Sequence, residues 1–299
     1  VHRMLGEPDE ALGAYAAAEA IVPGLPEAAF GAWVLTRAPG TVLGPAGEAT
    51  DYVAARTAID QAVLPEDDPY AVDGTAYARA LLDLAEGGER LAHATNALER
   101  LKTAYGFDQL LTYAAERARK SAQAWGAETQ YRRQEAERDD LPRVRLETSR
   151  GDIVLELFED DVPNSVRQFV HLVRQGVYDG ATVGTTIPFL AALVGLDLDP
   201  GYTIPTERRG ARARGAFRGV VGFLGTGKDT EAAALFVTTG TATHLGDDFV
   251  VFGWVREGQA VADALQAGDT IRKATVERVR DGVAYRPVRA DGTPVPGDD

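Results

Sequence analysis

Two kinds of hydrophobic spacing divide the chain near residue 140. Upstream, apolar residues recur every three or four positions. DEALGAYAAAEAIVP (9–23) places Ala11, Tyr15, Ala18 and Pro23 at offsets 0, 4, 7 and 12, and similar spacing runs through 51–63, 75–86, 88–104 and 107–138. That spacing gathers apolar side chains on one face of a helix, so each segment predicts a helix. The stretch TRAPGTVLGPAGEAT (36–50) interrupts the pattern. At RRQEAERDDLP (132–142) charge rises and Leu-Pro follows. The residue before a proline is pushed out of the helical region, which predicts a helix exit and a domain boundary there.

From Val144 the period changes to two. Val144 and Leu146 alternate with Arg145 and Glu147, SRGD supplies a Gly-containing turn, and IVLELFE (153–159) follows. This predicts two antiparallel strands joined by a short turn. In VPNSVRQFVHLVRQG, Val166, Phe169, Val170 and Val173 stand at i, i+3, i+4 and i+7 between Pro163 and Gly176, an amphipathic helix with its start and stop marked. LFVTTG (235–240), FVVFGWV (249–255) and a short helix in QAVADALQAG (259–268) come later. Many short strands with two helices predict a closed or nearly closed barrel. The expected organisation is α+β multidomain: a helical domain over 1–139, a barrel domain over 140–282 and a tail over 283–299. RADGTPVPGDD (289–299) reads as disordered.

Charge changes the list of functions. The chain has 31 Lys and Arg against 45 Asp and Glu, net −14. Residues 1–140 hold 13 of the basic and 23 of the acidic groups, so −10, leaving 18 and 22, so −4, for the rest. Nucleic-acid binding is disfavoured, because it is driven by clustered cations that release counterions. With no Cys, structural disulfides and thiolate metal sites are excluded while the compartment stays open. His2, His93, His171 and His244 show no i, i+4 pairing, which argues against a zinc centre. No apolar run approaches the roughly 20 residues of a membrane span, and no cofactor is expected. The opening VHRMLGEPDE has no charged-then-apolar signal segment.

Residues 9–23 resemble the second helix of a tetratricopeptide repeat, and Phe30 and Gly31 take the places of the next repeat's Leu-Gly pair. The later helices keep the period without that signature, so a repeat array and a plain helical hairpin domain both stand. An array implies a concave groove for a partner protein's peptide. A repeat pairs two helices and this chain opens on the second. The expected natural N-terminus therefore lies upstream, together with any targeting signal.

The second half carries a more specific likeness. VRLETSRGDIVLELFEDDVPNSVRQFVHLV, VYDG, Ile187–Pro188, PGYTIP (200–205), RGVVGFLG (218–225), ALFVTT and HLGDDFVVFGWVREG occur in the order found in cyclophilin-type peptidyl-prolyl isomerases, and residues 143–280 resemble that domain. The resemblance implies an eight-stranded antiparallel barrel capped by two helices, with a groove for proline-containing peptides. The X-Pro amide turns slowly because its nitrogen lone pair is delocalised. The family localises that lone pair with an Arg hydrogen-bonded to the prolyl nitrogen.

In this chain Thr185 stands at that Arg position, uncharged and too short to reach the same point. No ionisable side chain lies between Val183 and Leu196. The resemblance maps the remaining groove positions to Leu190, Ala191, Leu193, Leu224, Gly225, Ala234, Phe236, His244 and Leu245. The family's polar groups are absent at Leu193, Gly225 and Ala234, and its loop after Asp197 is shortened to about two residues. Losing one preorganised donor costs about 2.7–4 kcal/mol in other enzymes, or about 10²–10³-fold. The leading expectation is a binding or scaffold protein with negligible isomerase activity. The competing one is an active isomerase with an altered pocket.

Two other motifs point elsewhere. GFLGTGKD (222–229) fits a phosphate loop, yet Asp229 replaces its Ser or Thr and the barrel frame makes it a surface loop between strands. ERRGARARGAFR (207–218) reads first as a solvated basic loop, and second as a dock for an acidic surface such as the chain's own helical domain. Asp247 and Asp248 read as solvated turn residues rather than a cation site.

Overall fold

A computed structural model of the 299-residue chain describes residues 8–21, 56–57, 60, 69–105, 109–187, 190–207, 214–243 and 249–296. It separates into two compact units, 1–123 and 124–299.

In the first unit, α1 (Pro8–Ile21), α2 (Pro69–Glu86) and α3 (Leu91–Tyr105) follow the predicted helical spacing, and Arg56, Thr57 and Asp60 are also helical. Gly87 and Gly88 join α2 to α3 with φ of 74° and 62°, values that favour glycine. Tyr77, Leu82, Leu84, Leu91, Leu98 and Leu101 are buried between these helices or against their neighbours. Phe30, Gly31 and the 36–50 interruption lie outside the described residues. α4 (Gln109–Arg138) crosses the division between units and ends at the predicted exit, where Asp139 takes φ 45°. The second unit therefore begins upstream of residue 139, inside α4.

The second unit is built on an eight-stranded antiparallel sheet among its described residues: β1 (Arg143–Thr148), β2 (Gly151–Leu157), β3 (Val183–Ile187), β4 (Ala191–Val194), β5 (Val220–Phe223), β6 (Leu235–Thr238), β7 (Val250–Glu257) and β8 (Ile271–Arg278). Their order across the sheet is β3-β4-β6-β5-β7-β2-β1-β8. The sheet curls until its edges meet at one end. A Thr182–Thr270 bridge joins them, with Val183 N–H donating to Asp269 O (2.8 Å) and Ile271 N–H to Ala181 O (2.8 Å). Two helices complete the predicted barrel, α5 (Pro163–Arg174) and α6 (Gln259–Asp263).

The residues explain this closure. The β1–β2 hairpin turns at Gly151, φ 134°, with the Thr148 hydroxyl donating to Gly151 O (2.7 Å). α5 buries Val166, Phe169, Val170 and Val173 as its spacing predicts. Phe169 lies 5.0 Å from Phe252, which lies 4.5 Å from Phe223, so an aromatic column fills the interior. The free amides at the start of α5 donate to a distant carboxylate, Glu207, from Asn164 N (3.1 Å) and Ser165 N (2.6 Å). Glu156 on β2 is buried yet paired to Arg256 (2.8 Å) and Arg143 (3.0 Å).

Two expectations are corrected. Residues 289–296 are ordered rather than disordered. Ala290 N–H donates to Thr203 O (2.8 Å), Val295 is buried, and Val288 pairs with Pro294. The buried Val295 and Tyr285 supply apolar anchors that the polar composition of the tail conceals. Residues 297–299 lie outside the described residues. The Arg-rich run is not a solvated loop at Arg214, whose side chain is 3% exposed. It pairs with Glu135 (2.5 Å) and Glu128 (3.1 Å) of α4 and with Asp161 (3.1 Å), and its guanidinium lies 3.7 Å from the Phe158 ring centre. The carboxylates that Arg214 meets belong to its own unit, not to the first unit. Arg208, Arg209 and Arg212 lie outside the described residues.

Asp160 ties the end of α4 to the barrel through Arg280 (2.5 Å) and Arg138 (2.6 Å). The Arg280 bond, with Arg138 behind it, holds the Asp160 carboxyl down to about 2, against partial burial that works the other way. Stability from this pairing is therefore present above the ordinary value of 3.8 and is lost as pH falls toward 2. Asp160→Asn should cost about 1–2 kcal/mol at neutral pH after solvent screening, with the deficit shrinking in acid. Denaturant titrations at pH 7 and pH 2.5 check this; an equal deficit at both would contradict it.

Candidate functional site

An apolar cavity of about 160 Å³ opens beside β3, β4 and β6. It is lined by Ile187, Leu190, Ala191 and Leu193 on one side, and by Leu224, Phe236, Thr238, Phe249 and Val251 with Ala216 and Ala242 on the other. Strand register explains the gathering. Ala191 faces Thr238 across the β4–β6 pair and Leu193 faces Phe236, so residues two apart on each strand share the cavity face.

The floor depends on a close approach. Phe236 lies over Gly222 of β5, where a Cβ would come within 2.3 Å of the Phe236 Cζ and 2.4 Å of the Val250 carbonyl oxygen. The Phe249 ring stands edge-on at 5.5 Å from Phe236. The start of β6 is held from behind. Tyr178 O–H donates to Ala233 O (2.9 Å), Gln168 Nε2 donates to Ala232 O (2.8 Å), and Tyr202 O–H donates to Gln168 Oε1 (2.9 Å). Burial pushes both phenols above their ordinary value, so they remain protonated donors.

Among the described residues, the lining carries no ionisable side chain. The Thr238 hydroxyl in this lining donates to Phe217 O (2.7 Å) and accepts from Val220 N–H (2.9 Å). The cavity can desolvate a small apolar group and offers it no free side-chain donor. Its volume matches a benzene-sized guest rather than a drug-sized cofactor.

The mapped residues divide as follows. Leu190, Ala191, Leu193, Leu224 and Phe236 come together in the lining. Thr185 is exposed and stands opposite Leu193 in the β3–β4 register, two residues from Ile187, which places it at the cavity rim. Gly225 and Ala234 are half-buried just beyond the lining. His244, Leu245, Asp247 and Asp248 lie outside the described residues, as does Pro188. The sequence reading missed Ala216, Thr238, Ala242, Phe249 and Val251. The alternation of Phe249 and Val251 was a usable signal, whereas Ala216 and Ala242 sit in loops with no period to mark them. Lys228 and Asp229 of the rejected phosphate-loop motif lie in a turn between strands, with no helix following.

Residues 143–281 match the family model described as cyclophilin type peptidyl-prolyl cis-trans isomerase/CLD. A peptidyl-prolyl cis-trans isomerase of Synechococcus elongatus is 31% identical over 138 residues, covering 44% of this chain and 93% of that protein. The chain belongs to the cyclophilin-type peptidyl-prolyl isomerase family. Peptidyl-prolyl cis-trans isomerase B of Bacillus subtilis is likewise 31% identical, over 42% of this chain and 90% of its own. The crystal structure of a cyclophilin-type isomerase from Cryptosporidium parvum is 18% identical with a TM-score of 0.42, covering 46% of this chain and 99% of that one. The residues matched to the family model, 143–281, lie within the second unit, and α4 lies outside them. No helix among the described residues is long and apolar enough to cross a membrane.

Gly222→Ala should displace Phe236 and spoil the floor of the cyclophilin-type cavity, because the Val250 carbonyl is backbone and cannot yield. Overpacking of this kind costs about 2–3 kcal/mol. Chemical denaturation together with the ring-proton NMR signals of Phe236 tests it, and a variant with wild-type stability and unmoved signals would refute it.

Proposed function

We propose that this family member binds proline-containing or similarly apolar segments of a protein partner and turns them over little or not at all, acting as a scaffold or by assisting folding through binding. The observation that carries the reading is the cavity lining, which keeps an apolar floor around Phe236 and Leu190 and, among the described residues, offers no free donor to an amide nitrogen. Thr185, at the position to which the family likeness assigns its Arg, is uncharged and sits at the rim. Restraint of the peptide and localisation of the nitrogen lone pair are separate contributions, and only the first has groups here to supply it. The helical residues, 1–139 with the barrel at 140–282, fit a second contact with a protein partner, and the tail from 283 belongs with the barrel. No cofactor or nucleic acid is required by this reading.

The deciding measurement is a protease-free assay of X-Pro isomerisation in a proline peptide, paired with peptide binding by the full chain. Binding with turnover about 10²-fold or more below that of ordinary family members is expected. Turnover within about tenfold of theirs would favour the active isomerase with an altered pocket. Thr185→Arg alone should not rescue turnover, since Leu193, Gly225 and Ala234 also lack the polar groups that would position the peptide; rescue by the single change would overturn that account.

A further inference from the structure

Ala216 reaches the cavity from the loop before β5, and its neighbours on both sides are gripped by the C-terminal half of α4. Two residues earlier, Arg214 is buried among Glu135, Glu128 and Asp161. One residue later, the Phe217 ring packs edge-on against Trp125, with centroids 4.8 Å apart. Trp125 also faces Arg132, whose guanidinium lies 5.2 Å from Trp125 and 4.6 Å from Trp254 of β7, and Arg132 donates to Glu128 (2.7 Å).

The hold passes from Ala216 into the rest of the wall. Ala216 O accepts from Ala242 N–H (2.7 Å), and Phe217 O accepts from the Thr238 hydroxyl (2.7 Å). Ala242 and Thr238 both line the cavity. A loop has no ladder of its own to fix it, so the position of this wall follows from what holds its ends.

We infer that residues 125–135 of α4 are a positioning element for the cavity, with Trp125 and the Glu128–Glu135 pair holding 214–217 so that Ala216, Thr238 and Ala242 keep its wall in place. The residues matched to the family begin at 143. The shape of this pocket is therefore governed by a segment outside the family barrel. The functional consequence, altered peptide affinity, rests on the binding reading above, whereas the structural coupling does not.

The test uses the full chain with Trp125→Ala, the conservative Trp125→Phe, and Asp160→Asn as a control that loosens the end of α4 away from Ala216. Three quantities are read: hydrogen exchange at the Ala242 amide, xenon-induced NMR shifts at the Ala216 and Ala242 methyls, and the Kd of an Ala-Ala-Pro-Phe peptide. Trp125→Ala should speed Ala242 exchange about tenfold or more while the Leu155 amide in the barrel core is unchanged. It should also alter the xenon shifts of this apolar cavity and weaken the peptide about tenfold, equivalent to about 1.4 kcal/mol. Trp125→Phe should restore all three, and Asp160→Asn should leave them at wild-type values.

If Trp125→Ala does not fold, Glu128→Gln, which keeps volume but removes the charge and one of the two acceptor oxygens facing Arg132 and Arg214, carries the same expectation for exchange and xenon. A folded variant whose Ala242 exchange and xenon shifts match wild type overturns the inference. Failure of the wild-type chain to bind the peptide would instead remove the binding reading and leave the other two measurements to decide the coupling.

Discussion

A guanidinium buried among three carboxylates sets the arrangement of the second unit. Arg214 has a side chain only 3% exposed, and Glu135, Glu128 and Asp161 are buried with it. An ion taken out of water loses several kcal/mol of solvation unless partners of good geometry replace it. None of these four groups can therefore be buried without the others. Burial pulls the Arg214 guanidinium down, while the Glu135 hydrogen bond and the surrounding carboxylates more than reverse that, so it stays charged. Trp125, Glu128, Arg132 and Glu135 recur at three- and four-residue steps along α4, which lines them up on one face. The helix can dock in only one register if that face is to meet Arg214, Phe217 and Trp254.

This constraint is of a different kind from the one that closes the barrel. The barrel interior is apolar, with Phe169, Phe223 and Phe252 in contact and the sheet edges joined through Thr182 and Thr270. Apolar burial is strong and tolerant of small shifts, whereas a desolvated ion cluster is weak in net energy and demanding in geometry. The cavity lies where the two meet. Its β3, β4, β6 and β7 residues belong to the sheet, and its Ala216 wall belongs to a loop whose ends the ion cluster and Trp125 hold.

The chemical character of the cavity follows from the same division. Strand residues that point inward are apolar because the barrel must bury them, and Thr238 spends its hydroxyl on the backbone of Phe217 and Val220. Among the described residues, Thr185 stands at the rim of the pocket. An acidic chain concentrates its arginines elsewhere: Arg143 and Arg256 close on Glu156, Arg280 and Arg138 on Asp160, and Arg214 on the acids of α4. Charge serves to lock elements together rather than to line the site.

The period-two and period-3.6 patterns were enough to place the helices within 75–138, the β1–β2 hairpin, α5 and several later strands, because backbone period and burial leave a direct mark on composition. Ordered motifs from Val144 onward, read together, identified the family, and the stretch between Val183 and Leu196 holds no ionisable side chain. The tertiary structure decided what has no local period. It drew the half of α4 after residue 123 into the barrel unit, buried Arg214 where an Arg-rich run suggests a solvated loop, anchored the polar tail through Val295, and brought Ala216 and Ala242 into the cavity wall. Each of these depends on a partner more than 40 residues away or on a single residue in a loop, and a contact of that kind leaves no repeat in the chain for sequence reading to find.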